Sequence, residues 1–302
     1  MFSNEKGLMG EAKSAARLPN IFVVLLLALA FLFGGSLIGG VIDIFINQRW
    51  VSNEAMRFSF SLILNFGFVS LLIFRRVTHT EKRTLASMGF SKDNAFKHYL
   101  IGFGIGFLFF VAVVAILLFS GNATVEKGIS LGSLFGILAV LPGWIIQGGT
   151  EEVLTRGWMQ NVIGARYNAI LGIFVSSTFF GFLHLWNDHV DFIAIANIVL
   201  VGVLLSLYVM ITDNLWGACG FHSAWNWAQG NIFGFAVSGS YAAGGSLMYM
   251  DSEPANVING GLFGPEAGIV TTIVLVIGIA CMVIQLRSQN EKDKSSELDS
   301  IA

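Results

Sequence analysis

The run IFVVLLLALAFLFGGSLIGGVIDIFI, residues 21–46, decides the fold class, because its 26 residues include a single charged side chain. A helix rises about 1.5 Å per residue, so roughly 20 apolar residues cross the hydrocarbon core of a bilayer. The 20 residues before the run are polar, and the run is longer than the apolar core of a cleavable signal peptide. We therefore predict that the run stays in the protein as a membrane-spanning helix.

Seven more apolar runs follow along the chain. With the first, they lie at 21–46, 58–74, 99–119, 131–163, 168–186, 192–212, 215–237 and 269–286. Charged residues make up only 12% of the chain, about half the share of a soluble domain, which excludes an ordinary water-soluble protein. We predict an all-α polytopic bundle of about eight transmembrane helices at 21–286, with polar tails at 1–20 and 287–302.

Lys and Arg are divided unequally between the two sides that these spans create. Fourteen fall on the side of both termini, whereas three, Arg49, Arg57 and Lys127, fall on the other. Because basic loops remain in the cytoplasm, we predict cytoplasmic termini and an outward-facing loop at 238–268, which contains seven glycines. The net charge of −2 gives no indication of a nucleic-acid partner, and the two cysteines lie inside predicted spans without metal-ligand spacing.

Ionisable residues collect at membrane depth within residues 150–227, where each costs about 2.5 to 3.5 kcal/mol even on the mildest scale. The first segment is TEEVLTRG, residues 150–157. Glu152 and Arg156 stand four apart on one helix face, so they can form a structural ion pair. Glu151 is rotated about 100° from Glu152, which leaves it free to accept a proton from water. An interfacial charge cluster at the end of a span is the alternative.

Two further segments place a histidine one helical turn from a second side chain. They are FGFLHLWN, which pairs Phe180 with His184, and HSAWN, which pairs His222 with Asn226. Each histidine alone is typical of a hydrogen-bonded packing residue. Together, the three segments supply a carboxylate as general base, histidines that can orient water or protonate an amine, and an amide that can donate to an oxyanion. This set predicts amide hydrolysis at a water-filled site.

The three segments resemble the motifs Glu-Glu-x-x-x-Arg, Phe-x-x-x-His and His-x-x-x-Asn of the CAAX prenyl protease and bacteriocin-processing family of intramembrane endopeptidases. All three occur here in that order, within a catalytic core of about 131–237, and the run GGLFGPE at 260–266 is similar to bacterial members. The resemblance implies an intramembrane endopeptidase in a bacterial cell membrane that cleaves a peptide or protein substrate. Bacterial members are linked to bacteriocin maturation or immunity.

The resemblance also implies roles for the site residues. Glu151 would activate a water with help from His184, while His222 and Asn226 would stabilise the oxyanion. Members of the family are described both as metalloproteases and as metal-independent glutamate proteases. One carboxylate with two histidines can also bind zinc, which makes Glu151, His184 and His222 candidate ligands. The chain lacks His-Glu-x-x-His, so both alternatives, no cofactor and zinc, stay open.

Two other classes of function use the same residues differently. A non-catalytic membrane scaffold of the same fold would use them only to hold helices together. A transporter would build a midplane ion site from broken spans and show repeated halves, which the sequence lacks. Intact Glu151, His184 and His222 favour the endopeptidase.

The depth of Glu151 constrains the fourth span. If that span ended just before Glu151, this residue would lie at the surface, about 24 Å from the depth of His184 in a straight fifth span. We therefore predict that a helix begins at Pro142 and runs to Ile163, which places Glu151 near its middle. Residues 131–141 would be a separate helix or an extension bent at the proline.

Overall fold

Helices occupy most of the chain that the computed structural model describes, residues 4–299. In chain order they are α1 (Gly7–Ala12), α2 (Ile21–Ile42), α3 (Gln48–Trp50), α4 (Glu54–Arg75), α5 (Ala95–Phe119), α6 (Leu134–Glu152), α7 (Asn161–Arg166), α8 (Ala169–Leu183), α9 (Phe192–Thr212), α10 (Trp216–Trp227) and α11 (Ile269–Asp299). Two short strands, β1 (Thr124–Lys127) and β2 (Tyr249–Asp251), pair antiparallel. The all-α class predicted from the apolar runs is confirmed.

Within residues 4–299, six helical stretches are long and apolar enough to cross a membrane. They are Ile21–Trp50, Glu54–Thr80, Ala95–Phe119, Leu131–Arg166, Phe192–Thr212 and Ile269–Lys292. The other two predicted spans correspond to α8 and α10, which have only 15 and 12 residues. A count of eight spanning helices is therefore not confirmed, but the protein is an integral, multi-pass membrane protein.

The helix that carries Glu151 does not begin at Pro142. α6 passes through Pro142 and ends at Glu152, and a π-helical segment, Val153–Gln160, leads directly into α7. The predicted helix start is therefore wrong, and the residues just before Pro142 extend the same helix rather than form a separate one. Glu151 does lie near the middle of one helical stretch, Leu131–Arg166. Proline removes one backbone hydrogen bond but holds a helical φ, and surrounding helices in a membrane bundle tolerate that loss.

The short helix α10 packs most closely against α5 and α6. The α5 contact is backbone to backbone, because a Cβ on Gly102 would lie 1.9 Å from the carbonyl oxygen of Gly217. One turn later, a Cβ on Gly106 would lie 2.3 Å from the carbonyl oxygen of Phe221. Glycines in α5 therefore allow the backbone of α10 to pack directly against the backbone of α5. α9 packs against both α8 and α11.

Residues 238–268, which we call the Gly-rich strap, lie at one end of the bundle. β2 lies in the strap and pairs with β1, and Asn259 Nδ2 donates to the carbonyl of Asn122 at 3.1 Å. Residues near the N-terminus lie at the opposite end, where Asn4 Nδ2 donates to the carbonyl of Gly164 at 2.8 Å. The bundle therefore has a strap end and an end that carries the N-terminal segment.

Candidate active site

Glu152 is the centre of a buried polar cluster. Its Oε1 accepts a hydrogen bond from Arg156 Nη1 at 2.9 Å, and both side chains are fully buried. The same oxygen accepts a hydrogen bond from His222 Nδ1 at 2.8 Å. The ion pair that the spacing predicts is thus present, and Glu152 in addition orients the imidazole of His222 on α10. This second contact was not predicted.

Glu151 has a different environment, although it is the neighbour of Glu152 in the chain. Its Oε1 accepts a hydrogen bond from Gln147 Nε2 at 2.7 Å. Its Oε2 is buried, has no hydrogen-bond partner among the described residues, and lies 3.4 Å from His222 Nε2. Buried carboxylate oxygens without a partner are uncommon. This oxygen is therefore well placed to accept a hydrogen bond from a small polar ligand.

Gln147 connects the predicted base to the predicted oxyanion donor. While its Nε2 donates to Glu151, its Oε1 accepts a hydrogen bond from Asn226 Nδ2 at 2.9 Å. The sequence analysis missed Gln147, even though it precedes Glu151 by four residues and so shares its helix face. An amide nitrogen has two hydrogens, so Asn226 keeps one for another acceptor.

His184 is held at the point where α8 ends. It directly follows Leu183, the last residue of α8, and its Nδ1 donates to the carbonyl of Phe180 at 2.8 Å. The Phe180 ring lies 4.9 Å from the His184 ring and 5.9 Å from the His222 ring, centroid to centroid. The Arg156 guanidinium lies 4.7 Å from the Phe180 centroid, which is a cation–π distance. Phe180 therefore contacts Arg156 and both histidines.

One cavity of about 590 Å³ brings the predicted residues together, since Glu151, His184, His222 and Asn226 all line it. The depth problem is resolved because α8 is short and Glu151 lies within a helix rather than at a span end. The apolar part of the wall includes Trp144, Leu154, Phe221 and Trp225. The cavity thus combines ionisable groups with an apolar wall, as ligand pockets commonly do.

The Gly-rich strap contributes a third carboxylate to the cavity wall. Glu266 lines the cavity, and its Oε2 accepts hydrogen bonds from Ser238 N at 2.8 Å and Ser238 Oγ at 2.9 Å. Burial raises the pKa of the Glu266 carboxyl, whereas the Ser238 hydrogen bonds and the nearby His184 and His222 oppose that shift. The sequence analysis noted Glu266 only as part of a run similar to bacterial members.

The candidate zinc ligands do not fit a metal site in this arrangement. Among residues 4–299, no group of three or more His, Cys, Asp or Glu side chains is gathered to hold a metal ion. Each histidine uses Nδ1 for a protein acceptor, the carboxylate of Glu152 for His222 and the carbonyl of Phe180 for His184, which leaves Nε2 of each ring free. Glu151 Oε2 lies 3.4 Å from His222 Nε2. We therefore assign no step to a metal.

Comparison with known proteins gives one family match. Residues 132–228 match the family model described as type II CAAX prenyl endopeptidase Rce1-like. The matched part is less than half of the chain, but it contains all three motifs, from Glu151 to Asn226. No curated protein matches the chain. The resemblance inferred from the three motifs is therefore confirmed for this part of the chain, because residues 132–228 are similar to the Rce1-like type II CAAX prenyl endopeptidases.

Proposed function

We propose that the protein hydrolyses a peptide bond inside the membrane with a water molecule that Glu151 activates. The observation that carries this proposal is the position of Glu151 Oε2, which lies at the cavity 3.4 Å from His222 Nε2 and has no hydrogen-bond partner among the described residues. A water held there would donate to Glu151 and lie beside His222. Gln147 holds the other carboxylate oxygen, so the orientation of Glu151 is fixed before substrate binds.

The first step forms a tetrahedral intermediate. The water gives one proton to Glu151 Oε2 while its oxygen bonds to the carbonyl carbon of the peptide. The carbonyl oxygen then carries a negative charge, which the free N–H of Asn226 can stabilise. His222 can donate from Nε2 as well when both ring nitrogens are protonated, and the carboxylates of Glu151 and Glu152 beside the ring would balance that charge.

The second step breaks the C–N bond. The leaving nitrogen takes the proton that Glu151 accepted, with assistance from His184 on the wall formed by α8. A carboxylic acid and an amine are the products, and Glu151 returns to its ionised form. In this scheme Glu152 and Arg156 do not react. Their buried pair stabilises the fold, and Glu152 positions His222 through the 2.8 Å hydrogen bond.

Incubation of purified protein with a library of internally quenched peptides tests the proposal. We expect pairs of fragments whose masses add up to one substrate plus one water. The fragments should be formed by wild type and by His79→Ala, a histidine that does not line the cavity, but not by His184→Ala. Full activity of His184→Ala would contradict its role, and a wild-type protein that cleaves nothing would favour the non-catalytic scaffold.

A further inference from the structure

We infer that the cavity receives its substrate from the non-cytoplasmic side of the membrane, through a mouth between the turn after α8 and the Gly-rich strap. The inference rests on the proposed function, because it names the class of peptide that this site would cleave. That class is an exported or membrane-anchored peptide exposed on the outer face, rather than a cytoplasmic one.

The distribution of charge defines the two sides. Of the 17 Lys and Arg residues, 13 belong to connections and tails at the bundle end that carries the N-terminal segment, which we call the basic end. Three belong to the strap end. The remaining one, Arg156, was counted with the basic side from sequence, but it is fully buried inside the core. The asymmetry survives this correction, and it assigns the basic end to the cytoplasm.

The cavity is closed toward the basic end. Every residue from 153 to 165 is buried, so the helical chain that follows Glu151 and Glu152 forms a continuous floor. Trp158 within this floor is fully buried, and its Nε1 donates to Glu81 Oε1 at 2.8 Å. Glu81 is buried too and pairs with Arg83 at 2.9 Å. A peptide from the cytoplasm would have to break these buried contacts to reach Glu151.

The cavity is open toward the strap end. Among its lining residues, Trp186 is 73% exposed, and Asp188 and Ser240 are exposed as well. Asn187 Nδ2 donates to the carbonyl of Ser238 at 3.1 Å, which joins the turn after α8 to the strap beside this opening. The exposed Ser36 of α2 also lines the cavity, so that a substrate anchored in the bilayer has a lateral route to the same site.

Cysteine labelling tests the sidedness without any need for protease activity. In a Cys281→Ala background, which removes the exposed native cysteine, we would compare Ser240→Cys at the mouth with Thr84→Cys, an exposed position at the basic end. A membrane-impermeant maleimide applied to intact cells should label the Ser240→Cys protein and should reach the Thr84→Cys protein only after permeabilisation. The reverse pattern would overturn the inference.

A vesicle assay tests the substrate route. Quenched, membrane-impermeant peptides that the purified protein cleaves would be added to right-side-out and to inside-out vesicles. We expect cleavage in right-side-out vesicles, its loss after maleimide labelling of Ser240→Cys, and no cleavage in sealed inside-out vesicles. Cleavage only in inside-out vesicles would overturn the inference and leave the proposed function standing. If the purified protein cleaves no peptide at all, that result contradicts the proposed function itself, on which this inference rests.

Discussion

Glu151 and Glu152 are neighbours in the chain, yet the structure gives them different partners. Glu152 Oε1 accepts hydrogen bonds from both Arg156 and His222, whereas Glu151 Oε1 accepts one from Gln147. Oε2 of each residue has no hydrogen-bond partner among the described residues, but only Glu151 of the two lines the cavity. The 100° rotation per helical residue produces this division, because it turns one carboxylate toward the core and the other toward the cavity. Adjacent acids can thus serve separately as an anchor and as a base.

Arg156→Ala should destabilise the fold, because it leaves Glu152 buried without its cationic partner. Removal of one partner from a buried pair costs about 3 to 5 kcal/mol. Thermal unfolding of the purified variant in detergent should show a lower midpoint and a lower yield of folded protein. Arg287→Ala, which removes an exposed arginine from α11, is the matched control and should unfold like wild type. An unchanged midpoint in Arg156→Ala would show that the pair contributes nothing to stability.

Gln147→Met should slow cleavage while the protein remains folded. The substitution removes the hydrogen bond to Glu151 and the one from Asn226 but keeps a similar volume. A hydrogen bond to a charged group contributes about 1.5 to 3 kcal/mol, which corresponds to roughly a 10- to 100-fold loss in kcat. Gln289→Met, at an exposed position of α11, should keep the wild-type rate. A change confined to KM would argue against a role in orienting the base.

The sequence predicts contacts within a helix better than contacts between helices. The spacing of four residues predicts the pairing of Glu152 with Arg156, since helical geometry alone brings these side chains together. The hydrogen bond between Glu152 and His222 joins residues 70 positions apart. It depends on how α10 is rotated against α6, which is set by packing that no local pattern in the sequence records.

At the scale of elements, the glycines of α5 decide where the part of α10 that lines the cavity lies. From Leu100 to Phe119, α5 is apolar on every face, so its composition predicts a span but not the face that meets α10. The face is decided by Gly102 and Gly106, where α10 backbone carbonyls occupy the space of a side chain. His222 and Asn226 follow these contact points on the same short helix.

Gly102→Ala should impair both stability and cleavage. The added Cβ would lie 1.9 Å from the carbonyl oxygen of Gly217, so α10 must move away from α5 and carry His222 with it. Gly104→Ala on the same helix is the control, because no heavy atom lies within 4 Å of its Cβ position. Alanine has the higher helix propensity, so the control should be neutral or slightly more stable. Equal unfolding midpoints for both variants would contradict the close approach of the two helices.

The apolar runs predict where helices lie, but not where they end. The predicted span 215–237 becomes α10 and a π-helical segment that ends at Ile232, after which Gly234 adopts a φ of +73°. A hydropathy pattern does not register this change of backbone direction, since the residues after it are still apolar. At Pro142 the error is the reverse, since we predicted a helix start where the helix continues. The surrounding helices allow α6 to pass through the proline.

At the scale of the whole molecule, the family match and the cavity support the same class of function. Residues 132–228 supply the three motifs, whereas the strap lies outside the match and still contributes Ser238 and Glu266 to the cavity. The sequence predicts the strap as an external loop from its composition, but its contacts with the site depend on the tertiary fold.

Peptide cleavage should survive treatment with a metal chelator. The reason is that the candidate ligands are not gathered into a metal site among the described residues. The rate would be measured with purified protein before and after dialysis against the chelator, with a zinc peptidase as the positive control. Loss of activity that added zinc restores would contradict a metal-independent mechanism.

The most direct test of the proposed mechanism is the cleavage rate of Glu151→Gln. The amide is nearly isosteric with the carboxylate but cannot accept a proton from water, and a general base contributes roughly 10²- to 10⁴-fold to the rate. We expect Glu151→Gln to lose at least about 10²-fold in cleavage rate and to keep the wild-type unfolding midpoint. Glu126→Gln, the same change at an exposed position of β1, should keep full activity. Near wild-type cleavage by Glu151→Gln would contradict the mechanism.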